Sequence, residues 1–179
     1  MMTVTYQPEI AVPDTGTPAP GGGSGFGRIL VPIRSASDAA ETLAVAARVC
    51  SAANGRLYVV HVRIYDPPVR GAGRFYPQTR TEAAAVADEA LPIAWAHGLQ
   101  ATPAVVVAPR REVASAIAQL ASAWRADMIV MTRRPGPALR NLVRGSVPDQ
   151  VMRQAHCPVL AVRPSRKKAR LARSEHPAV

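Results

Sequence analysis

At 179 residues, 48% of them hydrophobic, the chain can bury one good core and reads as a single domain with tails. Its formal net charge is +10, but Arg163, Arg166, Lys167, Lys168, Arg170 and Arg173 crowd the C-terminal end, which assigns much of the basicity to a tail. The two cysteines, Cys50 and Cys157, lie far apart in apolar surroundings, which fits reduced thiols in a cytoplasmic protein rather than a disulfide framework, and no apolar run is long enough for a membrane span or shaped like a signal peptide.

Residues 1–27 hold Pro13, Pro18, Pro20 and the run Gly21-Gly22-Gly23-Ser24-Gly25, a composition that cannot offset its ordering entropy by burial. They read as a flexible leader, 28–164 as the domain and 165–179 as a basic disordered tail. Within the domain a pattern repeats. Ile29–Ile33 is a short apolar run, and Ser35-Ala36-Ser37-Asp38 offers N-cap hydroxyls and a first-turn acid. Leu43, Ala46, Ala47 and Cys50 then fall at helical spacing, with Asn54-Gly55 as a stop. Leu57–Val62 is a second strand. The connection from Tyr65 to Pro77 is rich in proline and aromatic residues and long enough for a lid or a partner-facing loop. A second helix follows on Ala83, Val86, Ala87, Ala90, Leu91 and Ala94, kinked by Pro92 and stopped at Gly98. Val105–Val107 is the third strand; Val113, Ile117, Leu120 and Trp124 mark the third helix. Met128–Met131 is the fourth strand, 147–155 the fourth helix, and Val159–Val162 the fifth strand.

Strands that are apolar without alternation, each separated by a helix, imply an α/β three-layer sandwich: a five-stranded parallel, doubly wound sheet with four helices. The ligand crevice of such a fold lies at the carboxyl ends of the strands where the winding reverses. Here that position draws in Arg34, after the first strand, and the loop that starts at Thr132, after the fourth.

The five-strand pattern, the Asp127–Met131 strand, the spacing from Thr132 to Gly145-Ser146, and the ending Ala155-His156-Cys157-Pro158-Val159-Leu160-Ala161-Val162-Arg163 together resemble the universal stress protein family. The resemblance covers roughly residues 28–163 and implies a sheet order of 3-2-1-4-5 and a homodimer made by pairing fifth strands, with Val159, Leu160, Ala161 and Val162 as the edge. In the ATP-binding branch of that family the fourth strand leads into Gly, two residues, Gly, nine residues, Gly-Ser/Thr. Counted back from Gly145-Ser146, the two early glycines are replaced here by Thr132 and Pro135. Glycine admits positive φ and lets backbone N–H groups approach phosphate, whereas proline fixes φ and has no N–H. The resemblance also implies an Asp after the first strand, facing the adenine, and a hydroxyl three residues after Gly145. This chain has Arg34 and Pro148 there, and a guanidinium cannot accept a hydrogen bond.

The candidate anion or nucleotide crevice therefore comprises Arg34, Val62, Met131, Thr132, Arg133, Pro135, Gly145, Ser146 and Val147, with no metal ligands. Each has a plainer role beside it. Ser146 with Asp149 fits an ordinary helix cap, and the cluster Arg133, Arg134, Arg140 and Arg144 fits a solvated loop. His61, His156 and Cys157 fit packing or surface roles, since none has a recognisable catalytic partner. As an anion site, arginine forks would replace lost backbone donors. No Walker loop, nucleophile elbow, His-Glu metal motif or paired carboxylates appear, so no catalytic residue is assigned. The expectation is a cytoplasmic stress-protein-like domain that binds a protein partner or an anionic small molecule, is not an enzyme, has no certain cofactor and does not hold ATP in the family's usual pose. The alternative keeps ATP, AMP or a cyclic nucleotide in an arginine-modified site with at most slow hydrolysis. Nucleic acid on the tail is disfavoured, because no aromatic residues are interleaved with its charges.

Overall fold

The computed structural model of the chain describes residues 26–50, 55–67, 73–133 and 145–163. The predicted leader and basic tail lie almost entirely outside these residues. In chain order the elements are β1 (Arg28–Ile33), α1 (Ala36–Val49), β2 (Arg56–Tyr65), α2 (Arg80–Asp88), α3 (Leu91–Ala96), β3 (Gln100–Pro109), α4 (Val113–Ala123), β4 (Met128–Thr132), α5 (Val147–Gln154) and β5 (Val159–Val162). The sheet is parallel throughout, in the order β3-β2-β1-β4-β5, as the resemblance implies.

Local chemistry explains where the helices begin. Ser35 caps α1 by accepting from the Asp38 N–H at 3.3 Å. Thr79 and Glu82 close a reciprocal capping box at α2, which satisfies two N–H groups that the first turn leaves orphaned. The single kinked helix expected around Pro92 comes as two pieces. The break falls at Glu89-Ala90, and Pro92 sits in the first turn of α3, where its missing N–H costs nothing. Gly98 then takes φ +72°, the left-handed conformation expected of a helix stop.

Strand alternation divides the core into two layers. Leu30, Tyr58, Val60, Val106, Ile129 and Met131 pack against α4 and α5, around Ile117, Leu120 and Val151. Ile29, Val31, Leu57, Val59, Met128 and Val130 pack on the other face against α1 and α3. Burial pushes the Tyr58 phenol up to about 12. Its ring lies 5.2 Å from Trp124, over which Arg28 is stacked.

The sheet's central strand makes two unequal ladders. Against β2 the register runs from Arg28↔Arg56 to Ile33↔His61; against β4 it covers Ile29↔Met128 and Leu30↔Ile129. The Arg28 carbonyl accepts from Asp127 on the β4 side. By alternation Pro32 faces β4 too and has no N–H to offer it. The strands are thus unpaired toward their carboxyl ends at the place where the winding reverses. Among the described residues no helix is long and apolar enough to cross a membrane.

Candidate functional site

The reversal point between β1 and β4 is bounded by the last residues of both strands and the start of α5. Alternation places Val62, Met131 and Arg133 on the α4/α5 face. Val62 and Val147 pack against the same apolar cluster as Met131, which is 5% exposed. These three supply an apolar wall. Arg34 follows β1 at a bend, is exposed, and forms no ion pair or hydrogen bond among the described residues.

Thr132 and Arg133 turn away from each other, as neighbours on a strand must. Thr132 faces α1. Its hydroxyl lies 2.6 Å from that of Thr42, which is fully buried, and also donates to the Asp38 carbonyl at 3.4 Å. The branched side chain of Thr132 therefore ties the end of β4 to the first turns of α1.

Arg133 faces α5 and meets Asp149, Nη2 to Oδ1 3.0 Å. The other oxygen, Oδ2, accepts from Ser146 Oγ at 2.6 Å and from the Ser146 N–H at 3.0 Å. Ser146 Oγ accepts in turn from the Asp149 N–H, which completes a capping box. The Ser146 bonds, with Arg133 and Arg153 adding attraction, hold the Asp149 carboxyl below the usual carboxylate range. Gly145 has φ +73°, and a Cβ there would come within 3.3 Å of Asp149 Cβ, so a larger residue would be both strained and crowded. Its carbonyl accepts from the Gln150 side chain. A phosphate approaching this helix would find the Ser146 N–H and the Asp149 N–H engaged and no N–H on Pro148, which leaves the Val147 N–H.

The structure thus brings Arg133, Ser146 and Gly145 together around Asp149, joins Val62, Met131 and Val147 in one wall, and separates Thr132 from both. Pro135, Arg134, Arg140 and Arg144 lie outside the described residues. The sequence reading singled out neither Thr42 nor the role of Asp149 as Arg133's partner. Thr42 is a polar residue on the apolar stripe of α1, which was the available signal. His61 is 5% exposed; Nδ1 reaches the Ile33 carbonyl at 3.2 Å and Nε2 the Gln78 side-chain amide at 2.8 Å. It joins the end of β1 to the segment before α2, in keeping with a packing role. Cys157 is half-buried against the α4/α5 core, and burial raises its thiol pKa, which lowers its thiolate fraction. Among the described residues no group of His, Cys, Asp and Glu could hold a metal ion.

The family model for universal stress proteins matches residues 25–163. The chain belongs to the universal stress protein family. Solved structures of this family superpose on it. One from Burkholderia pseudomallei is 26% identical, covering 78% of this chain and 98% of that one at a TM-score of 0.57. One from Archaeoglobus fulgidus is 25% identical, covering 76% and 93% at 0.56. The Archaeoglobus fulgidus universal stress protein in complex with dAMP is 23% identical, covering 76% and 97% at 0.54. No curated protein sequence matches the chain. The universal stress protein frame therefore extends over the whole described domain, while the corner from Thr132 to Asp149 shows how this member's own residues fill it.

Proposed function

We propose that this universal stress protein is a dimeric binding or regulatory domain that does not hold ATP in the family's usual pose. It acts by binding a protein partner or an anionic small molecule and does not catalyse a reaction. The observation that carries this reading is the network at α5: Asp149 occupies the hydroxyl and N–H of Ser146 and meets Nη2 of Arg133, and Pro148 removes another donor. An external phosphate there would have to displace an internal carboxylate. Arg34 forms no ion pair or hydrogen bond among the described residues, which favours an anion approaching from the β1 side. Dimerisation is supported by β5, an edge strand of half-buried apolar residues whose exposed ladder would otherwise invite non-specific pairing. Light scattering that returns a monomer for the full chain would overturn the pairing.

The test of the site is a thermal-shift panel of ATP, ADP, AMP, cyclic nucleotides, phosphate and small carboxylates, repeated with Arg34→Asp and Arg133→Ala. The expected result is no stabilisation by ATP with magnesium and a stabilisation by some other anion that Arg34→Asp abolishes. A second reading keeps a nucleotide ligand, favoured by the dAMP complex of the Archaeoglobus fulgidus relative. It predicts stabilisation by AMP-type ligands that saturates at a stoichiometry of one per chain.

A further inference from the structure

A sheet in this order ends at two edge strands, β3 on one side and β5 on the other, and an edge presents a row of backbone groups ready to pair with another chain. In a parallel strand the N–H and C=O of one residue point to the same side, and those of the next residue to the opposite side. The hydrogen bonds show which residues point where. The Arg110 N–H donates to the Tyr65 carbonyl at 3.1 Å, so the even-numbered residues of β3 turn their backbone groups to β2, and Ala101, Pro103, Val105, Val107 and Pro109 turn theirs outward. At the other edge the carbonyls of Pro158 and Val162 accept from the Ile129 and Arg133 N–H groups at 2.9 and 2.7 Å. The outward residues of β5 are therefore Val159 and Ala161, with Arg163 next in line.

The two outward rows differ in chemistry. Every outward residue of β5 carries a donor beside its acceptor. On β3 both prolines fall in the outward row, so it keeps its acceptors and lacks the donors of residues 103 and 109. One residue earlier or later, either proline would have broken the ladder to β2, whose register is continuous from Arg56↔Gln100 to Tyr65↔Pro109. Each ring also puts a methylene where the carbonyl of an added strand would look for an N–H. Between the rings only Val105 and Val107 offer successive donors, a shorter ladder than an ordinary strand makes. Without the prolines this would be the more inviting edge of the two: β3 has ten residues with Val105-Val106-Val107 at its centre, against four residues in β5.

We propose that Pro103 and Pro109 close the β3 edge against a second copy of this chain, so that the sheet grows at β5 alone and self-association stops at two chains. Two chains joined at β5 expose β3 at both ends, which makes the assembly closed rather than open. The limit of two rests on the dimer proposed above; the closure of β3 does not. The test is sedimentation velocity of the full chain over a concentration series, for the parent, for Pro103→Val, which restores successive outward donors from residue 101 to 107, and for Pro103→Val with Pro109→Val. The parent is expected to level off at the mass of two chains. The variants are expected to exceed it by about twofold or more as concentration rises, because paired β3 edges join one dimer to the next. Adding Val105→Pro to Pro103→Val puts a ring back in the outward row and should return the parent's mass, which separates edge pairing from misfolding. Variants that keep the parent's mass throughout, association that Val105→Pro leaves in place, or a parent that grows beyond two chains would each overturn the proposal. A monomeric parent overturns the dimer, and the closure of β3 then stands or falls on whether Pro103→Val makes the monomer pair.

Discussion

The described residues that bound two connections at the carboxyl edge of the same sheet are placed in opposite ways. At the corner between β4 and α5 they face inward: Thr132 bonds to Thr42, Arg133 to Asp149, and Asp149 to Ser146, so these polar groups satisfy one another. At the arm after β2, made by residues 63–66 and 73–78, Arg74 stacks on Tyr65 and Arg63 on Tyr76, Arg110 pairs with Asp66, and Phe75 faces outward. Position in the fold identifies where a ligand can bind, whereas the bookkeeping of donors and acceptors identifies where one is still needed. On that criterion the described polar groups of the corner are already partnered, while the arm leaves Phe75 exposed.

The contrast can be broken from the corner first. Thr132→Val is expected to destabilise the chain by about 1–3 kcal/mol in chemical denaturation, since it leaves the buried Thr42 hydroxyl short of its partner. Adding Thr42→Val should recover most of the loss, because both polar groups are then gone. If the single variant is as stable as the parent, the corner is not closed by this pair.

Asp149→Asn has a smaller expected effect, about 1 kcal/mol at neutral pH, from weakening the cap and the attraction to Arg133. Its signature is pH. The folded-state pKa of Asp149 lies below its unfolded value, so the unfolded chain binds the proton more readily and stability rises with pH between the two values. The contribution is complete above the usual Asp value of about 3.9 and is lost as pH falls through the folded value. Stability curves of parent and variant should therefore converge in acid, and a gap independent of pH would show that the carboxylate charge is not what closes the corner.

The arm yields the smallest stability change. Both members of the Arg110–Asp66 pair are substantially exposed, and hydrogen bonding from Arg110 holds the Asp66 carboxyl below its usual range only locally. Arg110→Ala should leave the denaturation midpoint within error while speeding amide exchange at Asp66. A lowered midpoint would mean that the arm is part of the global folding unit.

The sheet was legible in the sequence because five short apolar runs separated by helical segments admit few other arrangements. The strand ends were less so. The second strand was read to Val62 and the third over Val105–Val107, yet the pair extends to Tyr65↔Pro109. Arg63 and the prolines at 103 and 109 interrupt the apolar pattern, but β3 is an edge strand where proline is tolerated. The family was also readable, as were the residues Thr132 and Pro148 themselves. What they do was not: contacts between Thr132 and Thr42, or Arg133 and Asp149, depend on which face each strand residue takes and on distances no spacing rule encodes. Arg133 read as part of a basic loop that is either solvated or an anion site, because Asp149, its partner, reads as a helix cap until the two are seen side by side.

Pro32 carries one more consequence. The gap between β1 and β4 is written into the covalent chain: a ring stands where a hydrogen would have to be for the strands to zip further. The opening therefore needs no occupant to hold it.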